Sequence, residues 1–208
     1  MSTSHLIRWS GLAALLGGAL FALFAVVEFA LFSGQPQSAV VATGAWGIVQ
    51  VFYIVACVLI SLGLVGAFTL QAGEGSSLGL AAFLLALTGT IMVAGAEWSA
   101  AFIAPWVAQV ASPEVLDAEP TGMLAAGVLS TFILFGLGWF LFDLVLLRTG
   151  VLSRGTALVI MIGAISVVVH GLLGLPFNSV VFEVALAWMG KALRSGIGEE
   201  ILAHEAAM

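Results

Sequence analysis

Five ionisable side chains interrupt otherwise apolar stretches of this 208-residue chain: Glu28, Glu97, Asp143, His170 and Glu183. A charged group inside a bilayer costs several kcal/mol, so such residues generally have a partner and often a function. Three carboxylates and an imidazole can bind a small ligand, share protons or hold a divalent cation. They can also be purely structural, if each is hydrated or paired close to the membrane surface.

The depth of these residues within the predicted helices separates four of them from the fifth. At about 1.5 Å of rise per residue, Glu28, Glu97, His170 and Glu183 lie about 6 to 9 Å from the outer ends of four different helices. We therefore expect at least three of them to converge on one ligand-binding pocket in the outer half of the bundle. Three further polar side chains of the outer half complete the predicted pocket: Gln50, Tyr53 and Asn178.

A metal ion in this pocket would take Glu97, His170 and Glu183 as ligands, although no His-x-x-x-His or Glu-x-x-His spacing marks a metal site. Asp143 lies near the inner end of its helix, about one turn before Arg148. Because an unpaired carboxylate is costly at that depth, we expect Asp143 and Arg148 to form a structural ion pair.

The sequence disfavours two common membrane cofactors. His170 is the only histidine within a predicted span, so a bis-histidine haem lacks its second ligand. Retinal requires a lysine inside the membrane, whereas Lys191 lies beside Arg194 at the inner end of the last span, where its side chain can reach the membrane surface. The lone Cys57 excludes a disulfide framework. No serine stands in a nucleophile-elbow motif, so the sequence gives no support for Ser/His/Asp hydrolysis. Whether the protein is an enzyme stays open.

The composition of the chain indicates that these residues lie in a lipid bilayer. Hydrophobic residues make up 62% of the chain and charged residues 8%, with a mean hydropathy of +1.22. These values exclude a water-soluble globular domain, whose charged share is about 25%. The net charge of -6 with five basic residues also argues against nucleic acid as a partner. The lipid bilayer is the expected partner.

Six apolar runs can position the ionisable residues, since a helix needs about 20 residues to cross the hydrocarbon. Glycine, proline and serine clusters separate these runs. We predict an all-α bundle of six transmembrane helices in a single domain, 1–195, followed by a polar cytoplasmic tail, 196–208. The predicted spans are 6–32, 45–70, 78–103, 122–147, 156–175 and 179–193.

The basic residues give this bundle an orientation. Six alternating crossings bring all five to one side, which the positive-inside rule makes cytoplasmic. They are Arg8, Arg148, Arg154, Lys191 and Arg194. Both termini are then cytoplasmic, and the protein belongs in a bacterial inner membrane. The acidic outer connection, Ala104–Pro120, is either a solvated loop or an amphipathic lid over the outer polar residues.

Small residues and tryptophans predict how the bundle packs. Close helix contact in lipid depends on small side chains, which recur every fourth residue in the first and third spans. These stripes are Gly11, Ala14, Gly18 and Ala22, and Ala82, Ala86, Thr90 and Ala94. Trp46 and Trp106 fit an aromatic belt at the outer membrane surface.

The second half of the chain carries two short motifs that suggest a family. Arg148-Thr-Gly-Val-Leu-Ser-Arg154 joins the fourth and fifth spans, and Leu175-Pro-Phe precedes Glu183-Val-Ala-Leu-Ala-Trp188. Over residues 135–195 the chain resembles a family of uncharacterised bacterial multi-pass membrane proteins, known as a domain of unknown function. The resemblance implies a fold and no activity. It also favours a role for Arg148, Arg154 and Glu183, which belong to the shared motifs.

Three functions remain open at this point. The first is binding of a small ligand or cation in the outer polar pocket. The alternative is a structural or accessory subunit that packs against itself, as a homo-oligomer, or against larger membrane proteins. The third is a membrane-embedded enzyme.

Overall fold

A computed structural model of the chain describes residues 3–71, 77–173 and 180–206, with side chains over 5–71, 77–169 and 180–195. These residues form helices joined by short connections and contain no strand, which confirms the all-α class for this part of the chain. The elements in order are α1 (Thr3–Phe32), α2 (Gln37–Val41), α3 (Gly44–Gln71), α4 (Ser77–Trp98), a π-helix (Ser99–Ile103), α5 (Ala104–Val110), α6 (Pro113–Asp117), α7 (Gly122–Arg148), α8 (Arg154–Leu173) and α9 (Val180–Ala206).

Four helical segments of the described chain are long and apolar enough to cross a membrane: His5–Phe32, Gly44–Gln71, Ser77–Val110 and Gly122–Arg148. They correspond to the first four predicted spans, but the third continues past its predicted end at Ile103. A shorter apolar helix covers Arg154–Val169. The predicted start of the sixth span, Ser179, lies outside the described residues. Because α9 continues to Ala206, most of the predicted tail, 196–208, belongs to this helix.

The six long helices of the described chain pack as a closed ring in the order α1, α3, α4, α7, α8, α9 and back to α1. Neighbours in the ring run antiparallel and touch through small residues. A Cβ atom added to Gly18 would meet Ala187, and one added to Gly138 would meet the backbone of Ala86. The predicted role of the two small-residue stripes in helix packing is confirmed at these crossings.

A short turn holds α7 and α8 together. Gly150 has a left-handed φ of 71°, and the backbone N–H groups of Gly150 and Val151 donate to the carbonyls of Leu147 and Leu146. This Schellman arrangement ends α7. Ser153 then caps α8, because its hydroxyl accepts a hydrogen bond of 3.2 Å from the backbone N–H of Thr156.

The outer connection of the sequence prediction is a helical cap rather than a solvated loop. The backbone N–H and the hydroxyl of Ser38 donate to the two carboxylate oxygens of Asp117, each at 2.8 Å, and so tie α2 to α6. Buried Val40, Val41 and Trp46 form a small apolar cluster against which Leu116 packs. We call the end of the bundle where α2, α5 and α6 lie the capped end.

The half of the ring away from the capped end is filled by apolar side chains, and we call it the packed half. Large side chains that are less than 2% exposed fill it, among them Leu64, Trp139, Phe142, Leu146, Ile160, Leu186 and Met189. The Trp139 indole donates a hydrogen bond of 3.1 Å to the Thr90 hydroxyl, so the one polar atom of this side chain is satisfied.

Candidate functional site

A cavity of about 200 Å³ lies between the helices in the half of the ring nearest the capped end. All six long helices contribute to its wall. The lining residues are Phe21, Glu28, Trp46, Gln50, Tyr53, Val93, Glu97, Ala100, Phe132, Phe135, Val167, Phe182 and Glu183. Trp139 packs edge-on against Phe182 at 5.5 Å between ring centroids, so an aromatic layer separates the cavity from the packed half.

Three carboxylates face this cavity from three different helices. Glu28 comes from α1, Glu97 from α4 and Glu183 from α9. The Tyr53 hydroxyl is hydrogen-bonded to the Glu28 carboxylate, and Glu97 and Glu183 lie close enough to Tyr53 to interact with it electrostatically. Three of the four groups that the sequence assigned to one outer layer therefore line a single cavity.

Gln50 adds a hydrogen-bond acceptor to the same wall. Its side chain is 2% exposed, and its carbonyl oxygen Oε1 has no hydrogen-bond partner among the described residues. Buried carbonyl oxygens in proteins almost always accept a hydrogen bond. The Gln50 oxygen is therefore available to accept a hydrogen bond from a donor in the cavity.

Aromatic side chains form much of the remaining wall, six in all. The ring centroids of Phe21 and Tyr53 lie 4.7 Å apart, and those of Phe135 and Phe182 lie 5.3 Å apart in an edge-to-face arrangement. The face of an aromatic ring carries negative charge density and attracts cations. A ring that presents its face to the cavity therefore favours the same sign of ligand charge as the carboxylates do.

Four of the 14 phenylalanines in the chain line this wall, and none of them was among the predicted site residues. Helical spacing could have found some of them. Phe21 lies two turns before Glu28, and Trp46 lies one turn before Gln50, so each shares a helix face with a predicted site residue.

Trp46 belongs to the cavity wall and not to the membrane surface where the sequence placed it. The π-helix explains its position: the Ala104 N–H donates to the Ser99 carbonyl, five residues back. In the same register the Ala100 carbonyl would accept from residue 105, but Pro105 has no N–H. The Trp46 indole donates to this carbonyl at 2.9 Å instead and is thereby fixed against the cavity.

Two predicted site residues are not tested by this geometry. The backbone of His170 lies in α8, one turn beyond Val167, but its side chain is outside the described residues, as is the whole of Asn178. Among the described side chains, no three histidine, cysteine or acidic groups are close enough to share a metal ion. The metal site of Glu97, His170 and Glu183 stays a prediction.

The predicted ion pair between Asp143 and Arg148 is wrong. Asp143 is fully buried, neither of its carboxylate oxygens has a hydrogen-bond partner among the described residues, and Arg148 is exposed. The reason is helix geometry: residues five apart are rotated by about 140° around the axis, whereas side chains pair at spacings of three or four.

Comparisons of the chain with protein-family models, with characterised proteins and with solved structures give no match. The family resemblance over residues 135–195 therefore stays a prediction. The site has to be interpreted from the chemistry of its own residues.

Proposed function

We propose that this is an integral membrane protein that binds a small organic ammonium ion in the cavity between its six long helices. The observation that carries the proposal is the meeting of three carboxylates, six aromatic side chains and the open Gln50 acceptor around one space. The carboxylates compensate a positive charge, and the ring faces stabilise it further.

The rest of the wall narrows the class of cation. A wall made largely of aromatic carbon suits an organic cation better than a hydrated metal ion, which prefers oxygen and nitrogen ligands on most sides. The Gln50 oxygen favours a ligand with N–H donors, which a protonated amine has. A volume of about 200 Å³ is below the usual range for drug-sized ligands and suits a small head group.

We further propose the topology of six crossings, with the capped end outside and both termini in the cytoplasm of a bacterial cell. The antiparallel ring supports this, since α8 and α9 lie beside the four long apolar helices. The 20 residues of α8 are long enough, at roughly 30 Å, to cross the hydrocarbon. Arg148 and Arg154 flank the α7–α8 turn, away from the capped end, as the positive-inside rule requires.

Cysteine labelling tests this topology, and the buried Cys57 gives little background. We expect Glu114→Cys to react with a membrane-impermeant thiol reagent in intact cells and Ser153→Cys to react only after lysis. Labelling of Ser153→Cys in intact cells would contradict the proposed orientation.

Ligand binding is tested by calorimetric titration of the purified protein in detergent with butylammonium. Neutral 1-butanol, which has similar size and shape, is the control ligand. We expect saturable binding of butylammonium alone. Glu97→Gln should weaken it by at least about 10-fold, because a hydrogen bond to a charged group contributes about 1.5–3 kcal/mol.

Glu119→Gln is the matched control variant, since it makes the same change in net charge at an exposed residue outside the cavity. Its binding should equal that of the parent. If the parent binds no ammonium ion, or if both variants weaken binding equally, the proposal fails and the accessory-subunit alternative becomes the better interpretation.

A further inference from the structure

A second cavity, of about 670 Å³, lies beside the first, and we call it the vestibule. Four residues line both spaces: Val93, Glu97, Ala100 and Phe132. Apart from these, the vestibule wall is mainly apolar and includes the exposed side chains of Met123, Leu124 and Val128. The small acidic cavity and the larger apolar one are therefore adjacent, and Glu97 lies in the wall that they share.

The vestibule lies between α4 and α7. The two helices cross closely at Gly89 and Gly138, where an added Cβ atom would meet the backbone of the opposite helix. Nearer the capped end, Ala96 of α4 and Gly127 of α7 both line the vestibule, and a Cβ atom added to Gly127 would meet nothing within 4 Å. The vestibule is therefore a groove between these two helices near the capped end.

We infer that the ligand is an amphiphilic amine, a single alkyl chain with a protonated amino head group. The head group occupies the cavity beside Glu97, and the chain leaves through the vestibule between α4 and α7. This inference rests on the proposed function, because it names the class of ammonium ion that the same cavity takes.

Size and charge together support this assignment. A cavity of about 200 Å³ cannot also hold a long alkyl chain, whereas the vestibule is larger and apolar. Among the described residues, no lysine or arginine lines either cavity, so a phosphate group would find no cationic partner there, and an ammonium without an attached phosphate is favoured over the head group of phosphatidylethanolamine. An amine with a long chain is concentrated in the bilayer, and in the proposed topology the exposed vestibule residues Leu124 and Val128 face that bilayer.

The vestibule permits the chain to bind rather than strengthening its binding. Lipid tails are as apolar as the vestibule wall, so moving a chain from one to the other changes the free energy little. Blocking the vestibule should therefore affect only ligands too long for the cavity.

The test compares butylammonium with dodecylammonium, titrated into the protein in phosphatidylcholine nanodiscs. Gly127→Leu adds a side chain at the α7 wall of the vestibule, and Ala96→Leu does so from α4 as a second variant. Gly95→Leu is the control, since Gly95 has open space around it and lines neither cavity. All variants are measured in the same lipid, so partitioning of the amine into the bilayer affects every measured affinity equally and cancels in the ratio of variant to parent.

We expect Gly127→Leu and Ala96→Leu to weaken dodecylammonium binding at least 10-fold and to change butylammonium binding less than twofold. Gly95→Leu should change neither. Unchanged dodecylammonium affinity in both vestibule variants would overturn the inference while leaving the proposed function intact. The inference would also be overturned if phosphatidylethanolamine in the nanodiscs displaced dodecylammonium as well as a second alkylamine does. Absence of butylammonium binding to the parent would instead contradict the proposed function itself.

Discussion

The half of the ring nearest the capped end and the packed half are built from the same six helices, yet their centres differ: the first holds the acidic cavity, and the second is filled by side chains. In the packed half, small residues bring helix backbones together and large side chains such as Trp139 and Phe142 fill the centre. Nearer the capped end, a cavity lined by carboxylates and aromatic rings lies between the helices, and a Cβ atom added to Gly127 of α7 would meet nothing within 4 Å. Close glycine crossings accompany the filled half, and a glycine without close neighbours accompanies the half that holds the site.

Glu97 and Asp143, one carboxylate from each half of the ring, differ in the same way. Glu97 faces a cavity shared with other polar groups and is partly exposed. Asp143 is fully buried among apolar side chains, and no described residue accepts from it or donates to it. A carboxylate within the ring therefore indicates a ligand site only where space and other polar groups accompany it.

Truncation of one aromatic residue in each half should give the largest difference. We expect Trp139→Ala to lower the free energy of unfolding by about 3–5 kcal/mol, because it empties a filled site. Phe132→Ala should cost less than half as much, since Phe132 already borders empty space in both cavities. Unfolding by detergent titration in mixed micelles measures both. Equal losses would mean that the cavity is filled by packed side chains.

A pair of glycine variants on α4 should give a smaller difference of opposite sign. An added Cβ at Gly89 would meet the Phe135 backbone, so Gly89→Ala should lower the free energy of unfolding by about 1–3 kcal/mol. Gly95→Ala introduces the same atom into open space and should raise it by up to about 1 kcal/mol, because alanine favours the helix. If both variants unfold like the parent, the close α4–α7 crossing is incorrect.

Asp143 should give the smallest effect. A buried polar group without a partner costs about 1–3 kcal/mol, so we expect Asp143→Leu to raise the free energy of unfolding by about 1 kcal/mol. Asp143→Asn, which keeps a polar group in place, should bring no comparable gain. A clear loss of stability in Asp143→Leu, measured by the same unfolding titration, would reveal a partner for this carboxylate.

Much of the fold follows from the sequence because hydropathy fixes where a membrane helix begins and ends. The predicted bounds of the second and fourth spans, 45–70 and 122–147, differ from α3 and α7 by one residue at most. The third span was predicted too short, because the π-helix through which the helix continues past Ile103 has no signature in the composition.

The site was partly predictable for a similar reason. Counting residues from the helix ends gives depth, and depth brought Glu28, Glu97 and Glu183 to one level. Depth does not give rotation around the helix or the order of helices in the ring. The aromatic wall, the vestibule and the burial of Trp46 depend on that order. Asp143 was assigned the wrong partner because the prediction counted about one turn to Arg148 and ignored the rotation that places the two side chains on different faces of the helix.

Anomalous diffraction from crystals grown with 4-bromobenzylammonium tests the central claim most directly, because bromine locates the ligand independently of the protein density. The proposal predicts a single bromine peak inside the ring of six helices, with the ammonium nitrogen about 3 Å from the Glu97 carboxylate or the Gln50 oxygen. Bromine found only on the outer surface of the helices, with the cavity between them empty of ligand, would contradict it.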